Sequence, residues 1–508
     1  MKSPIAPLLL SDPRAIATAD VDCLVIGSGT AGVTTAIELA DRGLRVAILE
    51  AGPLVLTEHV GSGPFANRED IVPGIHDLVR YRTVWTSGAE AAKAHAGKVE
   101  TNNNAWSVVG GRTLFWGGFT PRFLDSDFAD WPHDADEMRP WYERAEKLIG
   151  ASGGSATGAA APFMHHAAQD RLLARLGAKG IPATNAPLGI DTLAVHDGHM
   201  SRGFDSSVSR LLRCPHFGRI ENGARLSLAA DTEVTKLAVD GGLVRRLAVR
   251  DRATGRTFDI PARQVVLAGG AVQSTRLALA SGLGDGDPLV GRYMGDHLFR
   301  QAVFCLPEPI GEKALYIFIP PTAERPFHVQ MQGMFPETWY SPLHATVWLN
   351  GNASGRFVLF YCFGVSKAER EGRLVLRDDA GAMADYYVVN ERSAGDLAAL
   401  AAMSTFTTDV AAALGAELVR TEENGPGAAL HEYGGLRMGL DPSASVTDPD
   451  GRFWRIGNLG CADAAIWPQQ GSANSYLTIT ALALRNAARL AETMATAKLH
   501  LPTSTTRG

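Results

Sequence analysis

The alternation of apolar and polar residues between Val21 and Glu50 predicts a strand, a tight turn, a helix and a second strand. The apolar run 21–26 precedes Gly27, Gly29 and Gly32, which stand in GxGxxG spacing. Apolar residues then recur at helical spacing: Val33, Ala36, Ile37 and Ala40. A glycine ends the predicted helix, and the second apolar run, 44–49, delivers an acidic residue at its carboxyl end. The pattern is that of a βαβ unit.

This unit predicts a dinucleotide site. Glycines let backbone N–H groups and a helix N-terminus approach a pyrophosphate, and Glu50, 18 residues after Gly32, can accept from ribose hydroxyls. The residues predicted to contact the cofactor here are Gly27, Gly29, Thr30, Ala31, Gly32 and Glu50. The motif leaves FAD and NAD(P) as alternatives, although an acidic Glu50 argues against a ribose 2′-phosphate.

A second glycine-rich segment, 101–123, has neither helical nor strand periodicity. Its glycines permit close backbone approach to a flat ligand, and it carries more aromatic residues than an ordinary surface loop. The residues predicted to contact the cofactor from this loop are Gly110, Gly111, Arg112, Trp116, Gly117 and Gly118.

Later segments predict two kinds of sheet. The runs 233–239 and 244–250 alternate as strands, and 265–268 reads as a buried strand followed by a Gly-Gly turn and a helix, which predicts a return to the dinucleotide domain. Because no second GxGxxG follows, an independent nicotinamide domain is disfavoured. Strand-like runs between 299 and 419, with an Ala-rich helix at 394–414, predict a separate sheet covered by a helix.

Composition narrows the class of partner. The 508 residues are 45% hydrophobic and 20% charged, which is an ordinary composition for a globular protein. The net charge of −6 offers no basic field for nucleic acid or an anionic membrane. No run of 18 apolar residues occurs, and the 5 cysteines lack metal-ligand spacing. We therefore expect a cytoplasmic protein without a metal site.

Seven segments in order resemble the glucose-methanol-choline (GMC) flavin oxidoreductases over about residues 21 to 494. They are GSGTAG with its following Glu50, VGG…WGG, WP…PWYERAE, VVLAGGAVQSTRLALASG, VGRYMGDH, HEYGGLRMG, and NLGCADAAIWP…SANSYLTITALALR. The resemblance implies FAD as cofactor. It also implies an α/β fold, α+β overall, with a Rossmann-like FAD-binding domain at 15–150, 205–298 and 425–500. A substrate-binding domain, a mostly antiparallel sheet covered by helices, is expected at 151–204 and 299–424.

Within that family the chain most resembles pyranose oxidases and bacterial glycoside 3-oxidases. HEYGGLRMG with Asn474, 43 residues after His431, resembles their catalytic histidine and asparagine. The histidine that carries the covalent flavin link in fungal pyranose oxidases falls on Phe115, which cannot be flavinylated, so FAD is expected to bind non-covalently.

The resemblance also suggests roles for residues outside the glycine motifs. Gln330 falls on a glutamine of the segment that carries sugar contacts, although an outward-facing position on a half-exposed strand is an even alternative. Met334 falls where the family has a carboxylate, and His297 is interpreted as structural. Asp463 is expected near the flavin ribitol or pyrophosphate, with capping of the next turn as the alternative. The remaining residues expected at the cofactor are Val234, Ala464, Asn474 and Ser475.

Three functions stay open from the sequence. The first is FAD-dependent oxidation of a secondary hydroxyl, at position 2 or 3, of a pyranose or glycoside, with His431 as base and hydride transfer to the flavin. The second is the same chemistry on a sterol or aryl alcohol, and the third is a lyase on the same scaffold. The partner is expected to be a small molecule, with oxygen or a quinone as electron acceptor, and the oligomeric state is not predicted.

Overall fold

The computed structural model describes most of the chain. The described residues are 6–55, 81–86, 103–105, 107–154, 163, 165–190, 195–196, 199–200, 204–310, 315–333, 355–377 and 386–499. Met334 and the apolar residues that follow it lie outside these ranges.

A five-stranded parallel sheet carries the βαβ unit. Its strands, in spatial order, are Leu459–Cys461, Gln264–Leu267, Cys23–Ile26, Val46–Leu49 and Leu226–Ala229. All four residues of the second, fourth and fifth of these strands are buried, as expected for a parallel sheet covered on both faces. The predicted return of the chain to this sheet is confirmed, because the strand at 264–267 pairs in parallel with the strand at 23–26.

Two helices cover this sheet from the ends of the sequence. Thr30–Asp41 follows the glycine turn, and Ser475–Leu499 closes the described chain. The two helices pack together, and Thr30 Oγ1 lies 2.9 Å from Thr480 Oγ1. The N-terminus of the helix that leaves the glycine turn is therefore supported by the last helix.

A six-stranded antiparallel sheet forms the second large sheet. Its strands, in spatial order, are Glu417–Glu423, Leu298–Cys305, Phe357–Gly364, Phe327–Gly333, Leu315–Ile319 and Thr184–Asn185. The helix Ala394–Ala413 begins at an N-capping serine and buries Leu400, Met403 and Val410 against this sheet. The mixed α/β class that the sequence predicts is confirmed.

The other elements include further helices and the strands of smaller sheets. The remaining helices are Ala6–Leu9, Pro13–Thr18, Ala135–Ile149, Ala167–Ala178, Ser207–Arg213, Ala271–Ala280 and Leu283–Gly286, with 3₁₀ turns at Gly111–Leu114, Asp125–Phe128, Ile220–Asn222 and Ala464–Ile466. The remaining strands are Tyr81–Thr86, Asn103–Ala105, Val195–His196, His199–Met200, Thr232–Asp240, Leu243–Asp251, Thr257–Pro261, Arg373–Leu376 and Tyr386–Val389.

The strand Tyr81–Thr86 crosses the division expected from the sequence. It lies in the block assigned to the FAD-binding domain, yet it pairs in parallel with Tyr386–Val389 from the block assigned to the substrate domain. The two blocks therefore share a four-stranded sheet, and the exact domain boundaries stay a prediction.

Side-chain caps fix two local structures. The helix Ala135–Ile149 begins at Ala135 because Asp134 accepts from the Glu137 amide as an N-cap, and the helix accommodates Pro140. Asp463 lies after the strand that ends at Cys461 and caps the 3₁₀ turn that follows.

Candidate active site

The glycine turn is shaped by close backbone contacts. A Cβ atom at Gly32 would lie 2.0 Å from the Gly27 carbonyl oxygen, and one at Gly27, whose φ is +106°, would lie 2.5 Å from the Ala268 carbonyl oxygen. Gly29 differs, because nothing described lies within 4 Å of its Cβ position. It is the N-cap of Thr30–Asp41, and no side chain caps the helix. The first-turn N–H groups are therefore available to an anion such as a pyrophosphate.

Glu50 joins the glycine turn to the second glycine-rich loop through Ser28. Glu50 Oε2 accepts from the Ser28 amide at 3.0 Å and from Ser28 Oγ at 2.7 Å, and Oε1 accepts from the Gly52 amide at 2.9 Å. Ser28 Oγ accepts in turn from the Gly110 amide at 2.9 Å. The structure thus brings together the two segments that the sequence assigned to the cofactor.

Arg112 extends this loop to the segment that carries His431. Its Nη1 and Nη2 donate to the two carboxylate oxygens of Glu432 at 2.6 and 2.8 Å, and Nη1 also donates to the Leu430 carbonyl at 2.7 Å. Leu430 has a φ of +61°, an unfavourable backbone conformation for a branched residue. The bidentate pair holds this strained residue next to His431, a constraint typical of functional sites.

Trp116 is fixed by stacking rather than by the glycines beside it. Its ring lies 3.8 Å from the ring of Tyr476 at an interplanar angle of 13°, and Nε1 donates to the Asp205 carbonyl at 2.8 Å. Tyr476 and Arg210 both donate to the Asp205 carboxylate, in a buried network that the sequence analysis missed. Arg210 also donates to Thr34 Oγ1 at 2.8 Å, next to the glycine turn.

The other residues predicted at the cofactor have mainly structural contacts. Asp463 caps the Ala465 amide and accepts from Ser274 Oγ and the Gly270 amide, so the capping alternative describes its carboxylate here. Val234 is buried in the core beside the parallel sheet. In the two glycine segments Ala31 is buried, Gly111 begins a 3₁₀ turn, Gly117 has open space at its Cβ position and Gly118 packs on Phe204. Ala464 begins the 3₁₀ turn Ala464–Ile466, and its carbonyl accepts from the Gly434 amide. Ser475 begins the last helix.

His431 lies in a cluster of three histidines around the Phe363 ring. The ring centroids of His297, His328 and His431 lie 5.8, 5.3 and 5.3 Å from that of Phe363. Sheet register produces this arrangement, because His328 is the cross-strand partner of Phe363 and His297 immediately precedes the neighbouring strand. We call His297, His328 and His431 the histidine cluster.

His431 is bonded directly to His297. The two Nδ1 atoms lie 2.9 Å apart, and His297 Nε2 lies 2.7 Å from the Gly471 carbonyl oxygen. The backbone is fixed as well: Asp296 Oδ1 accepts from the amides of His297 and His431 at 2.8 and 3.0 Å. The Gln470 amide, oriented to satisfy both ends, donates to the His431 carbonyl and accepts from the His297 amide, each at 3.0 Å.

Asn474 joins the same cluster through Gln330. Gln330 Nε2 donates to Asn474 Oδ1 at 2.5 Å and lies 2.9 Å from His328 Nε2. Gln330 is only 2% exposed, because its strand is buried along its whole length, so the outward-facing alternative is wrong. The two predicted catalytic residues, 43 positions apart in sequence, are thus related through the Phe363 ring: His431 packs on it directly, and Asn474 is bonded through Gln330 to His328, which also packs on it.

Burial keeps the histidine cluster uncharged. It lowers the pKa of His431 to about 3, and the Arg112 charge adds to this effect. Burial also lowers the pKa of His297 and of His328 well below the ordinary value. By contrast, burial and the Glu432 charge raise the pKa of Asp296. A neutral imidazole can accept a proton, so His431 is in the form that a base requires.

Comparison with known proteins finds two family matches and relatives that cover nearly the whole chain. A GMC oxidoreductase model matches residues 369–483, and an FAD binding domain model matches residues 22–68. The chain is 27% identical to the C-glycoside 3-oxidase of Arthrobacter globiformis, over 95% of this chain and 97% of that protein. The chain is thus similar to the GMC oxidoreductases. It is an FAD-dependent oxidoreductase that acts on CH–OH groups.

Other relatives carry different names. The chain is 26% identical to the 6'''-hydroxyparomomycin C oxidase of Streptomyces lividus, over 93% of this chain and 92% of that protein. It is 24% identical to the 2-methyl-1,2-propanediol dehydrogenase of Mycolicibacterium austroafricanum, over 91% and 94%. The solved structure of pyridoxine 4-oxidase from Mesorbium loti has a TM-score of 0.64 at 19% identity and covers 92% of this chain and 99% of that one. This last likeness shows the fold.

The residues of the glycine turn fit FAD. The uncapped helix N-terminus at Thr30 suits a pyrophosphate, the open Cβ position at Gly29 leaves room for it, and Glu50 retains acceptor capacity for ribose hydroxyls. Within the described ranges, no helix has both the length and the apolar character needed to cross a membrane.

Proposed function

We propose that this protein oxidises a secondary ring hydroxyl, at position 2 or 3 of a pyranose or its glycoside, to the ketone. The observation that carries the proposal is the neutral, half-buried His431 held in one cluster with Asn474. Alcohol oxidation needs an acceptor for the hydroxyl proton and a donor for the developing alkoxide oxygen, and these two side chains supply both.

In the proposed reaction, His431 takes the hydroxyl proton and Asn474 donates a hydrogen bond to the substrate oxygen. Asn474 cannot titrate, so it serves as a donor at every working pH. Bound FAD supplies the acceptor for the hydride that leaves the carbon. The hydroxyl proton and the hydride together account for the two hydrogens that separate alcohol from ketone.

Two observations favour a sugar over another alcohol as the substrate. Relatives over nearly the whole chain carry the names C-glycoside 3-oxidase and 6'''-hydroxyparomomycin C oxidase. The chain also keeps a polar, buried strand face, with His328, Gln330 and Gln332 directed to one side. Buried amides of this kind suit the recognition of a polyol either directly or through the residues they orient.

Phe115 supports non-covalent attachment of the flavin. It follows the 3₁₀ turn of the second glycine-rich loop, and its phenyl ring offers no nucleophile. Acid precipitation of the purified holoprotein should therefore release all of the flavin as free FAD. Flavin that remained with the precipitated polypeptide would contradict this assignment.

Anaerobic reduction of the bound flavin tests the substrate. D-Glucose, D-xylose and phenyl β-D-glucopyranoside should bleach the flavin absorbance, and NMR of the product should show a ketone at ring position 2 or 3. Cholesterol, benzyl alcohol and 2-methyl-1,2-propanediol serve as comparison alcohols. If one of these reduces the flavin and no sugar does, the sugar proposal is wrong. With whichever substrate reduces the flavin, stopped-flow reoxidation by oxygen and by benzoquinone would identify the electron acceptor.

A further inference from the structure

The proposed catalytic pair has to solve a problem of hydrogen-bond polarity. Histidine and asparagine each carry one side-chain group that donates and one that accepts when neutral. Only one arrangement suits the reaction, in which the histidine presents an acceptor and the asparagine a donor to the same hydroxyl oxygen. Something in the protein must select this arrangement, because a ring or amide rotated by 180° would present the opposite polarity.

For His431 the selection starts at a backbone carbonyl. The Gly471 carbonyl can only accept, so His297 Nε2, 2.7 Å away, carries a proton and donates to it. Neutral His297 then has a lone pair on Nδ1. That lone pair faces His431 Nδ1 at 2.9 Å, so His431 donates through Nδ1 and keeps its own lone pair on Nε2. His431 thus has Nε2 as its proton acceptor.

For Asn474 the selection runs through Gln330. Gln332 Nε2 donates to Gln330 Oε1 at 3.3 Å, which leaves the Gln330 amide nitrogen for its other two neighbours. One of its hydrogens goes to Asn474 Oδ1 at 2.5 Å, and the other faces His328 Nε2, 2.9 Å away, which accepts as the unprotonated nitrogen of a neutral ring. His328 Nδ1 is buried and has no hydrogen-bond partner among the described residues.

This leaves one end of Asn474 for the alcohol. Its Oδ1 is occupied by Gln330, and among the described residues Nδ2 has no hydrogen-bond partner. We propose that His297 and Gln330 are positioning residues that fix the polarity of the catalytic pair, so that His431 presents an accepting Nε2 and Asn474 a donating Nδ2. The inference deepens the proposed function and rests on it, because it takes these two residues as base and donor. It also replaces the expected sugar contact of Gln330 with a role through Asn474.

The same contacts favour the products of proton transfer. When His431 Nε2 takes a proton, its Nδ1–H donates to neutral His297 as a charge-assisted hydrogen bond, which is stronger than the neutral one. An inverted His431 tautomer would place two lone pairs against each other at the 2.9 Å contact. An inverted Asn474 amide would do the same with two N–H groups at the Gln330 contact, unless the Gln330 amide were inverted as well.

Substitutions at His297 test the first half. His297→Leu removes the acceptor and should lower the limiting rate of anaerobic flavin reduction by D-glucose or phenyl β-D-glucopyranoside roughly a hundredfold, with FAD content unchanged. His297→Asn places Oδ1 near the former Nδ1 and should recover most of the rate. His133→Leu is the matched control, because His133 is also buried and bonded to a carbonyl, that of Pro449 at 2.8 Å, away from the cluster. Equal rates in His297→Leu and wild type would overturn the inference, as would a failure of His297→Asn to exceed His297→Leu.

Substitutions at Gln330 test the second half. Gln330→Met should lower the limiting reduction rate about tenfold while the apparent Kd of the sugar changes less than threefold, because the residue acts through Asn474. A raised Kd with an unchanged limiting rate would instead identify a substrate contact and contradict the inference. Gln169→Met is the matched control: Gln169 is fully buried and donates to Asn185 Oδ1 at 2.6 Å, with no contact to the catalytic pair.

A measurement without substrate keeps this test separate from that of the function. In holoprotein labelled with ¹⁵N-histidine, the His431 signals, assigned by their absence in His431→Ala, should show a protonated Nδ1 and an unprotonated Nε2, and His297→Leu should remove this preference. A protonated Nε2 in the wild type would overturn the inference even if sugars reduce the flavin. Wild-type reduction rates in His431→Ala would instead refute His431 as the base while leaving the tautomer result in place.

Discussion

The glycine turn and the histidine cluster are built by opposite means. In the turn, backbone atoms from one short stretch do the work, and side chains are excluded: a Cβ at Gly32 would lie 2.0 Å from the Gly27 carbonyl oxygen. In the cluster, side chains from three distant segments meet, and His431 touches His297, 134 positions away in sequence. The turn is therefore encoded locally, whereas the cluster exists only once both sheets have formed.

The largest expected effect comes from filling the turn. Gly32→Val forces a side chain into backbone that cannot yield, so we expect a loss of at least about 3 kcal/mol of stability and little folded holoprotein. Thermal unfolding and the yield of yellow protein measure this. Gly29→Ala is the control, since its Cβ position is open and its φ is −66°. That variant should melt like the wild type without FAD and differ only in weaker FAD binding; a lowered melting temperature in the absence of FAD would show that Gly29 is also structural.

This contrast explains which features the sequence could predict. Periodicity identified the βαβ unit, the strand at 264–267 and the helix at 394–413, because each is a local pattern confirmed within a few residues. Side-chain partners across long distances left no such pattern. His297 was interpreted as structural and Gln330 as a sugar contact, since nothing local shows that one faces His431 and the other Asn474.

Strand pairing between distant segments was hidden for the same reason. The pairing of Tyr81–Thr86 with Tyr386–Val389 depends on the assembled fold and not on either segment alone. The ion pair between Arg210 and Asp205 is a further example, because nothing in the sequence distinguishes these two buried charged residues from exposed ones. The DH dipeptide at 296–297, which ends the family motif VGRYMGDH, is the one sequence signal for the polar cluster.

The second effect in size separates the base from its surroundings. His431→Ala should keep FAD but reduce it with sugar at least about a hundredfold more slowly, because a positioned base typically supplies that factor. Asn474→Ala should lose less, since another donor or water can partly replace the amide. Stopped-flow absorbance under anaerobic conditions measures both rates. His133→Ala, a buried histidine outside the cluster, should reduce at the wild-type rate.

A third test removes the ion pair between Arg112, in the second glycine-rich loop, and Glu432, which follows His431. The pKa of His431 is lowered, so its neutral, proton-accepting form persists below the ordinary value near 6.5, and the acid limb of kcat/KM should lie well below that pH. In the double variant Arg112→Gln, Glu432→Gln the loss of the Arg112 charge should raise this pKa, while the loss of the Glu432 charge opposes the shift, so the limb should move to higher pH by less than about one unit. Substitution of both partners avoids a buried, unpaired Glu432. An acid limb unmoved in holoprotein of the double variant would show that the Arg112 charge does not set the protonation of the base.

The smallest expected effect concerns Gly471, which combines the steric requirement of a turn glycine with a contact to the histidine cluster. Like the glycines of the turn it is sterically required, because a Cβ there would lie 2.1 Å from Asp127 Oδ2, yet its carbonyl accepts from His297 in the histidine cluster. Asp127 is held by its bond to the Leu124 amide, so Gly471→Ala should displace the Gly471 carbonyl rather than the carboxylate. We expect flavin reduction to fall roughly fivefold, the equivalent of about 1 kcal/mol or one weakened hydrogen bond, at unchanged FAD content. Adding Asp127→Ala should restore part of the rate, and this non-additivity is what a shared contact predicts.

Gly460→Ala, whose Cβ position meets only an ordinary contact at 3.5 Å, is the matched control. If Gly471→Ala is slow and Asp127→Ala does not relieve it, the glycine affects the cluster by some route other than the position of its carbonyl. The glycine turn, built from backbone, and the histidine cluster, built from side chains, would then have no shared contact at Gly471.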